Sequence, residues 1–284
     1  MTTRRFVTHA VIVVVIVVAM TAIAIWLNLG PMVHAQSRVQ IEPWDGDARV
    51  HLAPLDDAGA ARFAYHFQSA NGQAMRPFAL SLTNETEATI AAVTLRWTIA
   101  TPSGSGVIVH RIQSEAFGGL RGVITRTPID AGGGKLLSES ATGMRLGIPP
   151  GESVMLTPGS YYDSRGGGGG WYNELIDARA PRVRIDAVIF EDGLVLGPDE
   201  LGTVDTILAR KAALDEVLGV IADAERTGQN PTTAIRALAQ PQPGEPLDRD
   251  GMTIRSLAME LLRAPDMAKT IDGWRKIRLP AFYR

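Results

Sequence analysis

The sequence predicts an α+β protein in three parts: a membrane-directed segment over residues 1–35, a β-sandwich over 36–197 and a helical region over 198–284. Three observations carry that division. Ala10 to Leu27, AVIVVVIVVAMTAIAIWL, contains no charge; from Val39 to about Gly197 apolar residues recur with period two; after Gly197-Pro198 they recur at helical spacing.

The first part is read from its flanks. Arg4 and Arg5 precede the aliphatic run, Gly30-Pro31 would break its helix, and Val33-His34-Ala35 places small residues where a signal peptidase cuts, which predicts cleavage before Gln36. The alternative is an uncleaved anchor, since with Val7, Thr8, Asn28 and Leu29 the stretch reaches the ~20 residues that span a bilayer. In both cases the arginines hold the N-terminus in the cytoplasm and the body is delivered across the membrane. Localisation is therefore extracytoplasmic, periplasmic or secreted if the segment is cut and inner-membrane anchored if it is not. Arg4-Arg5 also resembles a twin-arginine signal, but Thr8 stands where an apolar residue is required, so general secretion is predicted.

Composition narrows the function classes. With 45% hydrophobic residues in 284, the chain has ordinary material for a globular core. A net charge of -2 gives no field to recruit nucleic acid, and no arginine-rich or RNA-binding aromatic motif occurs. The chain has no cysteine, which excludes disulfides, a lipid-modified cysteine, a thiolate nucleophile and cysteine zinc sites, and in an exported protein points to a bacterial source.

Within the second part the strands follow from alternation. Phe63, Tyr65 and Phe67 alternate with Arg62, Ala64 and His66; Phe78, Leu80 and Leu82 with Ala79, Ser81 and Thr83; Val93, Leu95, Trp97 and Ile99 with Thr94, Arg96 and Thr98. Turns are expected at Asn71-Gly72, Asn84 to Glu87, Thr101 to Gly106 and Pro149-Pro150-Gly151. Strands then follow at Val154 to Leu156 and Val183 to Phe190, and Asp192-Gly193 is a two-residue hairpin leading to Leu194 to Leu196. Short strands so spaced indicate a sandwich.

FALSLTNETEATIAAVTLRW and IPPGESVMLTPG resemble strand, turn and strand segments of the immunoglobulin-like sandwiches of uncharacterised exported bacterial proteins, and VRIDAVIFEDGLVLGPD resembles a closing hairpin. The resemblance covers about residues 40–197 and implies an immunoglobulin-like antiparallel β-sandwich. It implies no particular activity, because that fold hosts many roles.

In the third part Leu201, Val204, Leu208, Val217, Leu218 and Ile221 share one helical face, predicting a helix over Asp199 to Thr227 that Gly228 ends. Asn230 and Pro231 start a short helix to about Gln240, PQPGEP is a linker, Ile254, Leu257, Ala258, Leu261 and Leu262 mark another helix, and a last one follows Pro265. Residues 199–227 hold three basic against seven acidic groups and 251–284 the reverse, so the two can attract, although apolar faces must do most of the docking.

No catalytic motif emerges. His51, His66 and His110 lack zinc-helix spacing, and His66 and His110 are expected on strands, facing solvent or a polar seam. AGGGK, Ala131 to Lys135, departs from a phosphate loop at Ile129 and Leu136, and no G-x-S-x-G elbow occurs. Asp45-Gly46-Asp47 and the run Glu191, Asp192, Asp199, Glu200 lack calcium-loop spacing and fit turns and a helix N-terminus. Neither a metal nor a cofactor is predicted.

The remaining candidate is YYDSRGGGGGWY, Tyr161 to Tyr172, placed where a sandwich has an end loop. Tyr161, Tyr162, Trp171 and Tyr172 offer amphipathic contact area, and Asp163, Arg165 and Glu174 can fix polar groups of a sugar or peptide. Gly166 to Gly170 lose much entropy on ordering and are read as a slack connector. The expected function is a non-enzymatic envelope module binding a protein or glycan, with a membrane contact through the N-terminal segment. The alternative is an enzyme acting on wall or glycan substrates, with Asp163 and Glu174 as acid and base, and a third possibility is a purely structural anchor.

Overall fold

The computed structural model describes residues 38–66, 73, 75–101, 104–117, 135–144, 147–158, 181–240 and 248–284. The first part of the chain, Asn71-Gly72 and PQPGEP lie outside the described residues. Among the described residues no helix is long and apolar enough to cross a membrane.

The protein is α+β, with mostly antiparallel sheets. Strands β1 (Gln40–Ile41), β2 (Val50–Pro54), β3 (Leu80–Asn84), β4 (Ile90–Thr101), β5 (Gly104–Ser114), β6 (Lys135–Met144), β7 (Ser153–Leu156), β8 (Arg182–Phe190) and β9 (Val195–Leu196) form two sheets. The larger runs β1-β8-β4-β5-β6 with β9 beside β8, and the smaller is β2-β3-β7. The sheets share one apolar core: Val93, Leu95, Trp97, Ile99, Ile108, Val183 and Ile185 from one, Val50, Leu80, Leu82 and Leu156 from the other.

The alternation predicted for Val93 to Ile99 is present in β4, because alternate side chains of a strand leave opposite faces of the sheet, and the strand expected over Val183 to Phe190 is β8. A hairpin closes where Asp192-Gly193 predicts one, with β9 antiparallel to β8, but its loop has three residues, Glu191 to Gly193, and not two: the Phe190 amide donates to the Leu194 carbonyl at 2.9 Å and the Gly193 amide to the Phe190 carbonyl at 3.0 Å. At Asn84 to Glu87 the turn is organised by a buried side chain: Asn84 Nδ2 donates to the carbonyls of Ala88, at 2.9 Å, and Ile148, at 2.7 Å, while its Oδ1 accepts from Thr86. The break expected at Thr101 to Gly106 is shorter, since Thr101 pairs with Gly104.

Two features depart from the expected antiparallel plan. Strand β1 lies parallel to β8, and β6 lies parallel to β5, an arrangement that needs a crossover connection instead of a hairpin. Helix α1 (Asp57–His66) replaces the strand expected around Phe63 and Tyr65. Its cause is local: the carboxylate of Asp56 accepts from the Gly59 amide at 2.6 Å, and Ala58, Ala60, Ala61 and Ala64 are strong helix formers. A strand would put Phe63 and Tyr65 on one face; on the helix Phe63 is fully buried in the sheet core and Tyr65 is 73% exposed. Arg76–Phe78 is a short 3-10 turn, so the strand expected from Phe78 starts at Leu80.

The helical region contains α2 (Thr203–Thr227), α3 (Pro231–Ala239), α4 (Arg249–Arg263) and α5 (Met267–Lys276). Asn230 caps α3 by accepting from the Thr232 amide at 2.9 Å with Pro231 in its first turn, and α2 stops at Gly228, as the sequence predicts. Helix α2 does not keep one apolar face. Its first half lays Val204 and Ile207 on Ala91, Ala92 and Ile189 of the larger sheet; its second half packs Leu214, Val217 and Ile221 against Ile235, Leu257, Leu261 and Trp274. Because the two partners lie in different directions, Leu208, expected on the shared face, is 47% exposed, while Leu201 is buried before the helix begins.

Candidate functional site

The strongest concentration of buried charge lies where residues 198–203 cross the outer face of the larger sheet. Alternation sends Thr94 and Arg96 of β4 to that face, and the paired strands add Val107, Val109 and Arg111 from β5 and Arg184 from β8. In the register Thr94 pairs with Ala187 and Leu95 with Ile185, so Asp186 is the extra residue of a β-bulge. All three central strands then hold one short segment. Asp186 Oδ2 accepts from the Leu201 amide at 3.0 Å, Arg111 Nη2 donates to the Leu201 carbonyl at 2.6 Å, and Thr94 and Thr203 share a hydrogen bond of 2.7 Å between hydroxyls. Leu201 itself packs with Val107 and Val109.

The turn that delivers Leu201 is built for close approach. Gly197 has φ +93 and no room for a side chain, since a Cβ there would lie 2.5 Å from the carbonyl oxygen of Asp186. Asp199 adopts φ +52, a left-handed conformation that Asp tolerates, and its carboxylate accepts from the amides of Thr203, at 2.6 Å, and Val204, at 3.3 Å. These are first-turn amides of α2, which have no partner within the helix. The acidic run therefore serves a turn and a helix start. Asp192 accepts from the Leu194 amide and from the Tyr283 hydroxyl, which hold its carboxyl below the usual range, and Asp47 is likewise held low by Arg49.

Glu200 closes the outer edge of the seam. Its Oε2 accepts from Arg96 at 3.1 Å and also from Arg184. Burial, and then the neighbouring Arg184, lower the Arg96 pKa from its ordinary value. Burial pushes the Asp186 carboxyl up to about 6, with the Leu201 amide opposing and Asp199 adding to the rise. Asp186 is fully buried, and its second oxygen, Oδ1, has no hydrogen-bond partner among the described residues.

The C-terminal residues return to the same region. The Val195 amide donates to the Tyr283 carbonyl at 2.8 Å and the Tyr283 amide to the Gly193 carbonyl at 3.1 Å, so the tail lies beside the β8–β9 hairpin. Leu279 and Phe282 cover the apolar patch under α2, with the rings of Phe282 and Phe117 6.1 Å apart. Elsewhere, Ser256, Met259, Glu260, Arg263, Pro265 and Thr270 line a groove of about 440 Å³ on α4 and α5. Near it Arg210 of α2, 2% exposed and lowered by burial to about 10, lies 3.8 Å from Glu260.

Tyr161, Tyr162, Asp163, Arg165, Trp171, Tyr172 and Glu174 lie outside the described residues, as do Ala131 to Gly134 of AGGGK. His66 closes α1 instead of lying on a strand, and His110 is buried on β5 opposite Leu95. The seam residues Arg96, Arg111, Arg184 and Asp186 were not singled out by their sequence. Their one signal is a charge at alternate positions of strands whose neighbours are strongly apolar, followed by a helix that can cover that face. No protein family, curated protein or solved structure matches the chain.

Proposed function

We propose that the chain is a non-enzymatic, extracytoplasmic interaction or scaffold module of the cell envelope, delivered through residues 1–35 and binding a protein or a glycan. One observation supports the choice of module over enzyme: among the described residues the carboxyl with the raised pKa, Asp186, is buried and committed to the Leu201 amide. A general acid needs access to a reacting group, and this one has a fastening role instead. The uncharged run Ala10 to Leu27 behind Arg4 and Arg5 supports the location.

We infer further that the β body is an immunoglobulin-like sandwich, with α1 and the parallel pairs as additions to that plan. Two sheets sharing a core, and the hairpin closing at Asp192-Gly193, support this reading. The contact surface is assigned to Tyr161, Tyr162, Asp163, Arg165, Trp171 and Tyr172.

Crosslinked pull-down from intact envelopes tests the reading. Trp171→Ala and Tyr162→Ala should reduce partner capture several-fold with the thermal midpoint unchanged. Loss of wall-glycan turnover in Asp163→Asn or Glu174→Gln would replace it with the enzyme, and unchanged capture would move the contact elsewhere. Intact mass separates a mature chain starting at Gln36 from an anchored one starting at Met1.

A further inference from the structure

The seam under α2 joins two bodies of different construction, and its geometry makes one member responsive to protons. Leu201 is gripped through both backbone groups, by Asp186 from β8 and Arg111 from β5. Among the described residues the Asp186 side chain accepts from this segment, at the Leu201 amide, and its buried Oδ1 has no hydrogen-bond partner there. An ionised carboxylate in that position leaves a buried charged oxygen without a hydrogen bond from the described residues; a neutral carboxyl does not carry that charge. The charged groups around it do not settle the account in favour of ionisation. Arg184, on its own strand, and Arg96, on β4, both point to Glu200, and Arg111, on β5, is turned to the Leu201 carbonyl. Asp199 and Glu200, from the covering turn, add negative charge beside it.

We propose that Asp186 makes this junction a proton-tightened clasp: when its carboxyl is neutral the segment Asp199 to Thr206 is held firmly on the sheet, and when it ionises that segment opens more readily. The bulge supplies the mechanism. It aims Asp186 at one amide, so opening Leu201 removes the segment that this carboxyl holds and lets it be solvated. Proton concentration outside the cytoplasm then sets how firmly the C-terminal helices are seated on the β body, without unfolding either.

Amide hydrogen exchange on the full-length chain in detergent micelles, corrected for intrinsic rates between pH 4 and 7.5, tests this. The protection of Leu201, Thr203 and Thr206 should fall by up to about 100-fold across that range, the equivalent of a shift of two pKa units, while Val93 and Leu95 stay level. Asp186→Asn should abolish the slope. A level profile for Leu201 in the wild type overturns the proposal, and so does an unchanged slope in Asp186→Asn, which would transfer the effect to Asp199 or Glu200. If that variant fails to fold, the wild-type carboxyl carbon of Asp186 decides by NMR: a midpoint near 6 supports the clasp, and one below 4.5 overturns it.

Discussion

The two faces of β4 differ more than their equal burial would suggest. Toward the smaller sheet it sends Val93, Leu95, Trp97 and Ile99, none more than 1% exposed; toward α2 it sends Ala92, Thr94 and Arg96, the last only 8% exposed. One face is a dry apolar interior made by two sheets. The other is a polar junction in which side chains grip backbone. Apolar burial tolerates many arrangements of similar volume, whereas hydrogen bonds to Leu201 fix a register. The first face supplies cohesion, and the second specifies where the helices sit.

The largest effect should come from breaking the dry face. Trp97 is fully buried among residues of both sheets, so Trp97→Ala should lower unfolding stability by about 3 to 5 kcal/mol, read from the denaturant midpoint. A loss under about 1 kcal/mol would mean that the two sheets do not share the core described.

Acidity should act on the polar face through Asp186. The Asp186 carboxyl is raised by burial from an ordinary value of 3.8 to about 6, so between those values the folded state holds the proton more tightly than the unfolded chain. Its contribution is present in full below pH ~4 and lost as pH rises through about 6, a swing of up to about 3 kcal/mol. Urea titrations from pH 4 to 7 should show the decline in the wild type, superposed on the pH dependence of the other carboxyls. The difference between wild type and Asp186→Asn isolates it, and a constant difference across that range would show that the carboxyl does not titrate there.

The contrast between the faces also marks what can be read from sequence. Alternation at Val93 to Ile99, the Asp192-Gly193 turn, the Asn230-Pro231 start and the Gly228 stop were legible because each depends on residues within a turn or a strand of one another. At α1 two signals compete in the sequence: Phe63 and Tyr65 fit period two over a short stretch, while the Asp56 cap and four alanines favour the helix that forms. Strand β6 was not singled out: LLSESATG alternates weakly, and its parallel pairing with β5 requires a partner more than twenty residues away. The seam was illegible for the same reason, since Thr94 meets Thr203 and Arg111 meets Leu201 only after the sheet has formed. The aromatic loop candidates remain a proposal on sequence grounds.

A smaller effect sharpens the polar face. Thr94 and Thr203 share a buried hydrogen bond, and each alone would leave the other hydroxyl without its partner. Thr94→Val and Thr203→Val should therefore each cost about 1 to 2 kcal/mol, and the double variant less than their sum, with a coupling of about 1 kcal/mol by thermal or urea unfolding. Strict additivity would show that this contact does not help to seat α2.

The smallest effect concerns charge at the bundle surface, where the acidic and basic helical segments face each other. Glu225 of α2 and Arg275 of α5 form a pair at 3.3 Å in the expected sense, but both side chains are about half exposed, at 52% and 47%. Beneath them Val217, Ile221, Leu257, Leu261 and Trp274 already supply apolar contact. Solvent screens the pair and two long side chains must be ordered to make it, so Arg275→Ala should change stability by less than about 0.5 kcal/mol, and less again at high salt. Measured beside Trp97→Ala in the same urea series, the variant separates attraction from cohesion. A loss above about 1.5 kcal/mol that salt removes would mean that opposite net charge, and not the shared apolar face, docks the last helix on α2.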